Sequence, residues 1–253
     1  MTVSIPGRVH TANGKSFNYF EAAGKPLAEA LEERFGIKFY IDNDSRVMCY
    51  GEYMRKRLHT VKNLLYINLN WGLGMGMILN GKLYYGSTGL SGELGHLTMF
   101  DNEIFCRCGK KGCLETEASG FAARRLLVSK HTAGAQSILS KKLDTGAQIT
   151  LDDFVDAIKA EDMLMIEIIE EIGSQLGKGV AAMINIFNPG LVVIGGRLIV
   201  GGDYLMLPIK AAAHKYSMSK VLSDTKFTMS TLGRKAAVIG DCLLSRDRLL
   251  GKL

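Results

Sequence analysis

Three cysteines and one histidine lie close together in the middle of the chain, in the pattern of a metal site. The segment reads GELGH, then nine further residues, then CRCGKKGC, so the candidate ligands are His96, Cys106, Cys108 and Cys113. Three thiolates and one imidazole are a common ligand set of a closed, four-coordinate zinc site. Because four protein ligands leave no open position for water, we expect a structural zinc. The alternative is a group of free cysteines in a reducing compartment.

Four acidic or amide side chains lie beside these ligands or after an expected strand. Glu93 and Glu115 flank the candidate metal ligands, while Asn43 and Asp44 follow the apolar run at residues 37–41. Such groups exchange hydrogen bonds with hydroxyls, which suits a sugar, and a carboxylate at position 44 could take a hydroxyl proton. The alternatives are solvated loop glutamates and an aspartate that only caps a helix.

A glycine-spaced stretch, WGLGMG, occupies residues 71–76 after the next apolar run. Backbone N–H groups of such a stretch could approach a phosphate. A tight turn before a hairpin is the alternative interpretation, and the spacing alone does not decide between them.

Composition indicates a folded, cytosolic protein. The 253 residues are 47% hydrophobic and 22% charged, close to the globular average, which excludes extensive disorder. The formal net charge is +6, but the basic residues are scattered, which favours a solvated surface over a nucleic-acid-binding stripe. We expect no membrane span and no signal peptide. Five cysteines, an odd count, argue against a disulfide framework.

Helical and β-rich patterns alternate along the chain, which predicts α/β layers. Strands are predicted at residues 3–5, 37–41, 63–69, 191–194 and 226–231 and in a hairpin that turns at Asn80-Gly81. Helices are predicted at residues 26–35, 43–56, 118–129, 151–160, 163–187, 203–216 and 236–250. Residues 86–112 are expected to form an irregular functional or metal-bound loop. Because ligands bind at the carboxyl ends of parallel strands, we expect residues 42–44, 69–76 and 195–196 near one cleft.

Together, these motifs resemble the ROK family of bacterial sugar kinases and sugar-responsive transcriptional repressors. The strings that carry the resemblance are IPGRV, NDSR, WGLGMG, GLSGELGH, CRCGKKGCLE and VVIGG, in that order from residue 5 to residue 196. The resemblance implies an α/β, actin-like ATPase (ribonuclease H-like) fold of two lobes, with the N-terminal lobe truncated. Residues 1–42 would be a remnant of that lobe, joined by the helix at 236–253. Residues 43–235 would form the C-terminal lobe, with the zinc loop at 86–115.

The resemblance also implies roles for individual residues. The zinc ligands would be the one histidine and three cysteines named above. Asp44 would be the general base of a kinase. The sugar would be contacted by Gly7, Asn43, Asp44, Glu93, His96 and Glu115. The nucleotide side would be formed by Gly72, Gly74, Gly76, Gly195 and Gly196.

Two departures from the family pattern favour a sensor over an enzyme. The DxGGT loop that holds ATP phosphates in the kinases does not occur in this sequence, and Trp71 and Leu73 flank Gly72 where a small hydroxyl residue is usual. We therefore expect the sugar-binding effector domain of a repressor that binds DNA through a helix-turn-helix upstream of this chain. A homodimer in the cytoplasm is expected by analogy with the family. The alternative is an ATP- and Mg²⁺-dependent hexose or N-acylhexosamine kinase, and the identity of the sugar stays open.

Overall fold

The structure is a computed structural model that describes residues 1–17, 24–55, 58 and 60–252. Its strands are β1 (Thr2–Ile5), β2 (Val9–His10), β3 (Lys15–Ser16), β4 (Tyr40–Asn43), β5 (Leu64–Leu69), β6 (Leu73–Leu79), β7 (Lys82–Leu83), β8 (Leu191–Gly196) and β9 (Lys226–Met229). Its helices are α1 (Leu27–Phe35), α2 (Asp44–Arg55), α3 (Gly120–Thr132), α4 (Ser140–Asp144), α5 (Leu151–Lys159), α6 (Met163–Phe187), α7 (Asp203–Tyr216), α8 (Ser219–Leu222) and α9 (Lys235–Leu249). The ends of two predicted helices, at residues 56 and 253, lie outside the described residues.

A five-stranded mixed sheet forms the centre of the fold, in the order β7-β6-β5-β8-β9. β5, β8 and β9 run parallel, and β6 and β7 are antiparallel additions beside β5. The turn between β6 and β7 has positive φ at both central residues, Asn80 (52°) and Gly81 (77°). These angles are typical of a two-residue hairpin turn, so the predicted hairpin at Asn80-Gly81 is confirmed. The antiparallel pair of β5 and β6 is a second hairpin that was not predicted.

Helices cover both faces of this sheet, because its central strands carry apolar side chains on both sides. On β5, Leu65 and Ile67 belong to a core shared with α3, α5, α6 and α7. Leu64 and Tyr66 belong to a second core, together with residues of α2 and α9. The result is a three-layer arrangement. None of the helices in the described part of the chain is both long and apolar enough to cross a lipid bilayer.

The strand β6 covers residues 73–79, whereas the glycine-spaced stretch at residues 71–76 was expected to be a phosphate-binding stretch or a tight turn before the hairpin. Leu73, Met75 and Met77 point into the first core. On the opposite face, a Cβ at Gly74 would collide with Ser45 and one at Gly76 with Cys49, both on α2. Helix α2 therefore lies directly against these two positions of β6, and the interpretation of residues 73–76 as a tight turn is wrong.

Helix α9 connects the end of the chain to its beginning. Strands β1 and β4 form a separate parallel pair. Ser245 of α9 accepts a hydrogen bond from the backbone N–H of Thr2 at 2.7 Å, and Asp241 accepts one from the Ser4 hydroxyl at 2.9 Å. These bonds support a grouping of residues 1–42 with the last helix, but the division into lobes stays a prediction.

Candidate functional site

The four candidate metal ligands converge on one point. One ligand atom from each of His96, Cys106, Cys108 and Cys113 can be chosen so that all four lie within 4.8 Å of one another. The Sγ atoms of Cys108 and Cys113 are 3.6 Å apart, and Cys106 Sγ lies 3.5 Å from Nδ1 of His96. A tetrahedral zinc site with 2.3 Å bonds has S–S edges of about 3.8 Å. The cluster could therefore hold a metal ion, and its donor set fits zinc.

Backbone hydrogen bonds hold this loop in shape. The N–H of Leu114 donates to Leu97 O at 2.9 Å, and the N–H of Met99 donates to Gly112 O at 2.9 Å. Within the loop, Cys106 N–H donates to Lys110 O at 2.7 Å and closes a tight turn. Burial raises the pKa of the Cys106 thiol to about 12, and a bound divalent cation would offset this cost of forming the thiolate.

A cavity of about 910 Å³ lies beside the metal cluster. It is lined by every residue predicted to contact a sugar, namely Gly7, Asn43, Asp44, Glu93, His96 and Glu115. Gly72 and Gly74 also line it, whereas Gly76, Gly195 and Gly196 do not. The structure thus brings the predicted sugar residues together and leaves three of the predicted nucleotide-side glycines outside this cavity.

Gly195 and Gly196 lie at the end of β8 and pack against β5. A Cβ at Gly195 would collide with Tyr66, and one at Gly196 would collide with the backbone of Leu69. Close strand packing accounts for these two glycines without a ligand, and the nucleotide role stays a prediction.

Asn43, not Asp44, caps helix α2. The Asn43 Oδ1 accepts the backbone N–H of Arg46 at 3.1 Å, the N-cap pattern, and its Nδ2 donates to Gly7 O at 2.9 Å. Asp44 Oδ1 instead accepts the N–H and hydroxyl of Ser45 at 2.7 and 3.1 Å. The interpretation of Asp44 as a simple N-cap is therefore wrong, and its carboxylate lies in the cavity wall.

His96 connects the metal cluster to the cavity. Its Nδ1 faces Cys106, and its Nε2 lies 3.7 Å from Oε2 of Glu93. A carboxylate beside the second ring nitrogen of a ligating histidine orients the ring and its tautomer. A metal ion on Nδ1 would therefore also fix the position of Glu93 relative to the cavity.

Glu115 ties the metal loop to the start of β6. Its Oε2 accepts the backbone N–H of Leu73 at 2.9 Å, and its Oε1 lies 3.9 Å from Cys106 Sγ. The side chain is only 8% exposed. A buried carboxylate with one such bond retains acceptor positions for hydroxyl groups.

The cavity raises the pKa values of two of its carboxyls. Burial raises the pKa of Asp44 against the opposing hydrogen bonds from Ser45, and the charge of Glu93 raises it further. Burial also raises the pKa of Glu93, although His96, Arg8 and Arg46 oppose the shift. A carboxylate whose pKa is raised accepts protons more readily, which suits the role predicted for Asp44.

Replacing Asp44 with asparagine is expected to raise the free energy of unfolding at neutral pH. The folded-state pKa of Asp44 lies above its ordinary value of 3.8, so folding opposes ionisation. The ionised carboxylate therefore lowers the stability of the folded state at pH values above the raised pKa. This destabilisation is absent at pH values below the ordinary pKa of 3.8. Asp44→Asn keeps the acceptor oxygen and removes the charge. Urea unfolding across the acid range should show the advantage of the variant shrinking as the pH falls.

The exposed Asp101, changed to asparagine, controls for the loss of one negative charge. A lower stability of Asp44→Asn than of the parent at neutral pH would contradict the expectation, because the ionised carboxylate would then be the stabilised form.

The cavity also has an aromatic side, which the sequence patterns did not predict. Trp71 packs between Phe121 of α3 and Phe154 of α5, with ring centroids 5.3 and 5.7 Å apart. Arg107, within the metal loop, stacks on Phe121 at 3.8 Å. Trp71, Arg107 and Phe121 line the cavity, and so does Arg124. The position of Arg107 between two metal ligands was the available signal, whereas the stacking depends on chain segments far apart in sequence.

Comparison with known proteins identifies the family. A model of the ROK family matches residues 1–248. A glucokinase of Halalkalibacterium halodurans is 35% identical over 216 residues, which are 85% of this chain and 66% of the relative. A solved ROK family transcriptional regulator, a homologue of the E. coli MLC protein, has a TM-score of 0.83 at 28% identity, with 99% of this chain and 63% of that chain covered. A ROK family glucokinase from Streptomyces griseus, solved with glucose and AMPPNP, has a TM-score of 0.83 at 25% identity, with 97% and 81% covered.

These relatives include both sugar kinases and a transcriptional regulator. The chain spans 66% of the length of the H. halodurans glucokinase and 63% of the solved regulator. The family match nevertheless extends over nearly all of its residues, and the three-layer α/β architecture agrees with the solved relatives. The chain belongs to the ROK family and has its actin-like ATPase fold.

Proposed function

We propose that this chain is the sugar-binding effector domain of a ROK transcriptional repressor, with a structural zinc in the His/Cys₃ cluster. The observation that supports it is a cavity that combines a full set of hydroxyl-binding side chains with a bulky indole beside Gly72. Asn43, Asp44, Glu93 and Glu115 supply the polar groups. In the kinases that this chain resembles, a small hydroxyl residue is usual next to that glycine.

Sugar binding would act by linking two parts of the molecule. Gly7 and Asn43 belong to the segment of β1 and β4, whereas Glu93, His96 and Glu115 belong to the metal loop. A sugar bonded to both groups favours the arrangement in which they are close, and only such a difference in affinity can shift an equilibrium. A helix-turn-helix elsewhere in a full-length, homodimeric protein would convert the shift into altered DNA binding.

An ATP-dependent sugar kinase is the second candidate, supported by the carboxylate of Asp44 in the cavity wall. The two functions separate in an assay of full-length protein with ATP, Mg²⁺ and a panel of hexoses. Turnover of about 1 s⁻¹ or more, the low end for kinases, would contradict the repressor assignment. Release of bound DNA by a sugar, without turnover, would support it.

Changing Glu93 to glutamine is expected to weaken sugar binding roughly tenfold or more. The variant keeps the shape of the side chain but loses a charged hydrogen-bond acceptor, and bonds to charged groups contribute about 1.5–3 kcal/mol. Isothermal titration of the zinc-loaded chain with glucose, xylose and N-acetylglucosamine measures the effect. Glu103→Gln is the matched control, because Glu103 lies in the same loop and outside the cavity lining. Equal affinities for the parent and Glu93→Gln would contradict the site assignment.

A further inference from the structure

A series of hydrogen bonds between side chains runs past the ends of β8, β5 and β4 and reaches Asp44. The backbone N–H of Arg197 donates to Oδ1 of Asn70 at 2.9 Å. Asn70 donates from Nδ2 to Oδ1 of Asn68 at 2.7 Å, and Asn68 donates from Nδ2 to Oγ of Ser45 at 3.0 Å. The Ser45 hydroxyl donates to Oδ1 of Asp44 at 3.1 Å. We call Ser45, Asn68 and Asn70 the polar network, and it lies outside the predicted set of sugar contacts.

The chemistry of the two ends fixes the direction of every bond in the polar network. A backbone N–H can only donate, so the Asn70 atom that faces Arg197 has to be the amide oxygen. The Nδ2 of Asn70 then faces Asn68, whose oxygen accepts from it and whose own Nδ2 is left for Ser45. Because the Ser45 oxygen accepts this bond, its single proton is available to Asp44, and an ionised carboxylate can only accept. Each side chain therefore has one orientation.

Packing holds the polar network against Asp44. Ser45 and Asn68 are buried, and a Cβ at Gly74 would lie 2.1 Å from Ser45 Oγ, so this glycine leaves the space that the hydroxyl occupies. Hydrogen bonds in a buried series polarise one another, which strengthens the last bond. The N–H of Ser45 also donates to Oδ1 of Asp44, at 2.7 Å. Two donors on Oδ1 orient the carboxyl group and leave Oδ2 to accept from a ligand hydroxyl.

We propose that Asn68 and Asn70 are positioning residues of the sugar site, which act on the ligand through Ser45 and Asp44. The polar network directs the Ser45 proton to Asp44 and so holds the carboxylate ready for a sugar hydroxyl. Asn68 and Asn70 also line the cavity, so the alternative is that they contact the ligand directly. The inference rests on the proposed sugar-binding function and assigns it residues that no sequence motif indicated.

The variant Asn70→Asp reverses the polar network without touching Asp44. The new carboxylate still accepts from Arg197, but it has no N–H to donate to Asn68. We expect the Asn68 amide to turn over and donate to position 70, so that its oxygen takes the Ser45 proton away from Asp44. Asn68→Asp reverses the bond to Ser45 directly and should have the same effect. Ser45→Ala removes the proton itself, so neither aspartate variant should act on Asp44 through the network in that background.

The first readout is the pH titration of the Asp44 carboxyl carbon by carbon-detected NMR on the zinc-loaded chain, assigned by its absence in Asp44→Asn. The hydrogen bond from the Ser45 hydroxyl lowers the pKa of Asp44. Its loss should raise the titration midpoint by about one pH unit in Ser45→Ala and in Asn70→Asp. The shift caused by Asn70→Asp should be much smaller when Ser45→Ala is present. Glu93 and Tyr66, which also interact with the charge of Asp44, are the same in all variants.

The second readout is the affinity for glucose, xylose and N-acetylglucosamine, measured by isothermal titration over the same pH range. Protonation of Asp44 removes its acceptor, so the fall in affinity at low pH should begin about one pH unit higher in Asn70→Asp than in the parent. Asn13→Asp makes the same change at an exposed asparagine outside the cavity lining. This control should change neither readout.

An unchanged Asp44 midpoint in both aspartate variants, or shifts of equal size with and without the Ser45 hydroxyl, would overturn the inference. A loss of affinity in Asn70→Asp that persists undiminished in the Ser45→Ala background would also overturn it, because Asn70 would then contact the sugar directly. If the midpoint shifts as expected but none of the three sugars binds, the polar network is supported and the proposed sugar-binding function fails.

Discussion

Replacing Cys113 with serine is expected to abolish stoichiometric zinc binding and to lower the free energy of unfolding by about 4 kcal/mol or more when zinc is in thousandfold excess over its Kd. The thiol of Cys113 is fully buried and lies 3.6 Å from that of Cys108. A metal that binds only the folded state stabilises it by RT ln(1 + c/Kd), where c is the free zinc concentration, which is about 4 kcal/mol at a thousandfold excess over Kd. Elemental analysis and thermal unfolding with and without a chelator measure both effects.

Cys242→Ser is the matched control, since Cys242 is exposed on α9 and far from the cluster in sequence. It should retain the zinc content and melting temperature of the parent. A metal-free parent protein whose melting temperature does not respond to added zinc would contradict the assignment. The Cys113 variant should also lose affinity for sugar, because a metal bound at the cluster would position His96 and, through it, Glu93.

Replacing Arg46 with methionine is expected to destabilise the fold by about 3 kcal/mol or more. The Arg46 Nη1 donates to Asp42 at 2.6 Å, and its Nη2 donates to Gly89 O at 2.6 Å. Its side chain is 3% exposed and that of Asp42 is fully buried. Removal of one charge from a buried pair leaves the other without full compensation, although Arg248 still donates to Asp42 at 2.8 Å. Equilibrium urea unfolding measures the loss.

Arg34→Met provides the comparison for an exposed arginine and should change stability by no more than about 0.5 kcal/mol. A loss of similar size in both variants would show that the Arg46–Asp42 pair contributes little. Since Gly89 O lies at the start of the segment that leads to Glu93, Arg46→Met should also weaken sugar binding more than its effect on stability alone would explain.

Elements with strong local signals could be predicted from the sequence. The 25-residue helix Met163–Phe187 was predicted with these bounds because its apolar residues recur at helical spacing. In the structure, the side chain of Asp162 accepts the N–H of Met165 at 3.0 Å and caps the helix start. At the other end, Asn188 has a left-handed φ of 40°. The period and both end signals are local, so neighbouring residues suffice to predict them.

The first half of the strand Leu73–Leu79 was not predicted, although its signal was present. Leu73, Met75 and Met77 alternate with two glycines, which is the period of a strand with one buried face. Glycine is unfavourable in strands, so the same letters suggest a loop when the packing partner is unknown. The partner is α2, which is separated from this strand in sequence by β5 and leaves no space for side chains at Gly74 and Gly76.

The sequence predicted that the acidic residues lie together in one cavity, but it did not predict the basic residues of the same cavity. The candidate metal ligands and Glu93 lie within one short segment, so their spacing alone predicts that they lie close together. Arg107 and Arg124 both line the cavity but belong to different segments, so no short motif predicts that they lie near one another. The burial of Arg46 against Asp42 also depends on tertiary packing, although their spacing of four residues would place a helical pair within reach.

The hydrogen bonds between α9 and β1 constrain the order in which the protein can fold during synthesis. Thr2 and Ser245 are separated by 243 positions. At translation rates of roughly 5–20 residues per second, synthesis from Thr2 to its hydrogen-bond partner Ser245 on α9 takes on the order of 12–50 s. The pairing of β1 with β4 needs only the residues up to Asn43, so it can form early, whereas the amino-terminal segment is completed only when α9 has been synthesised.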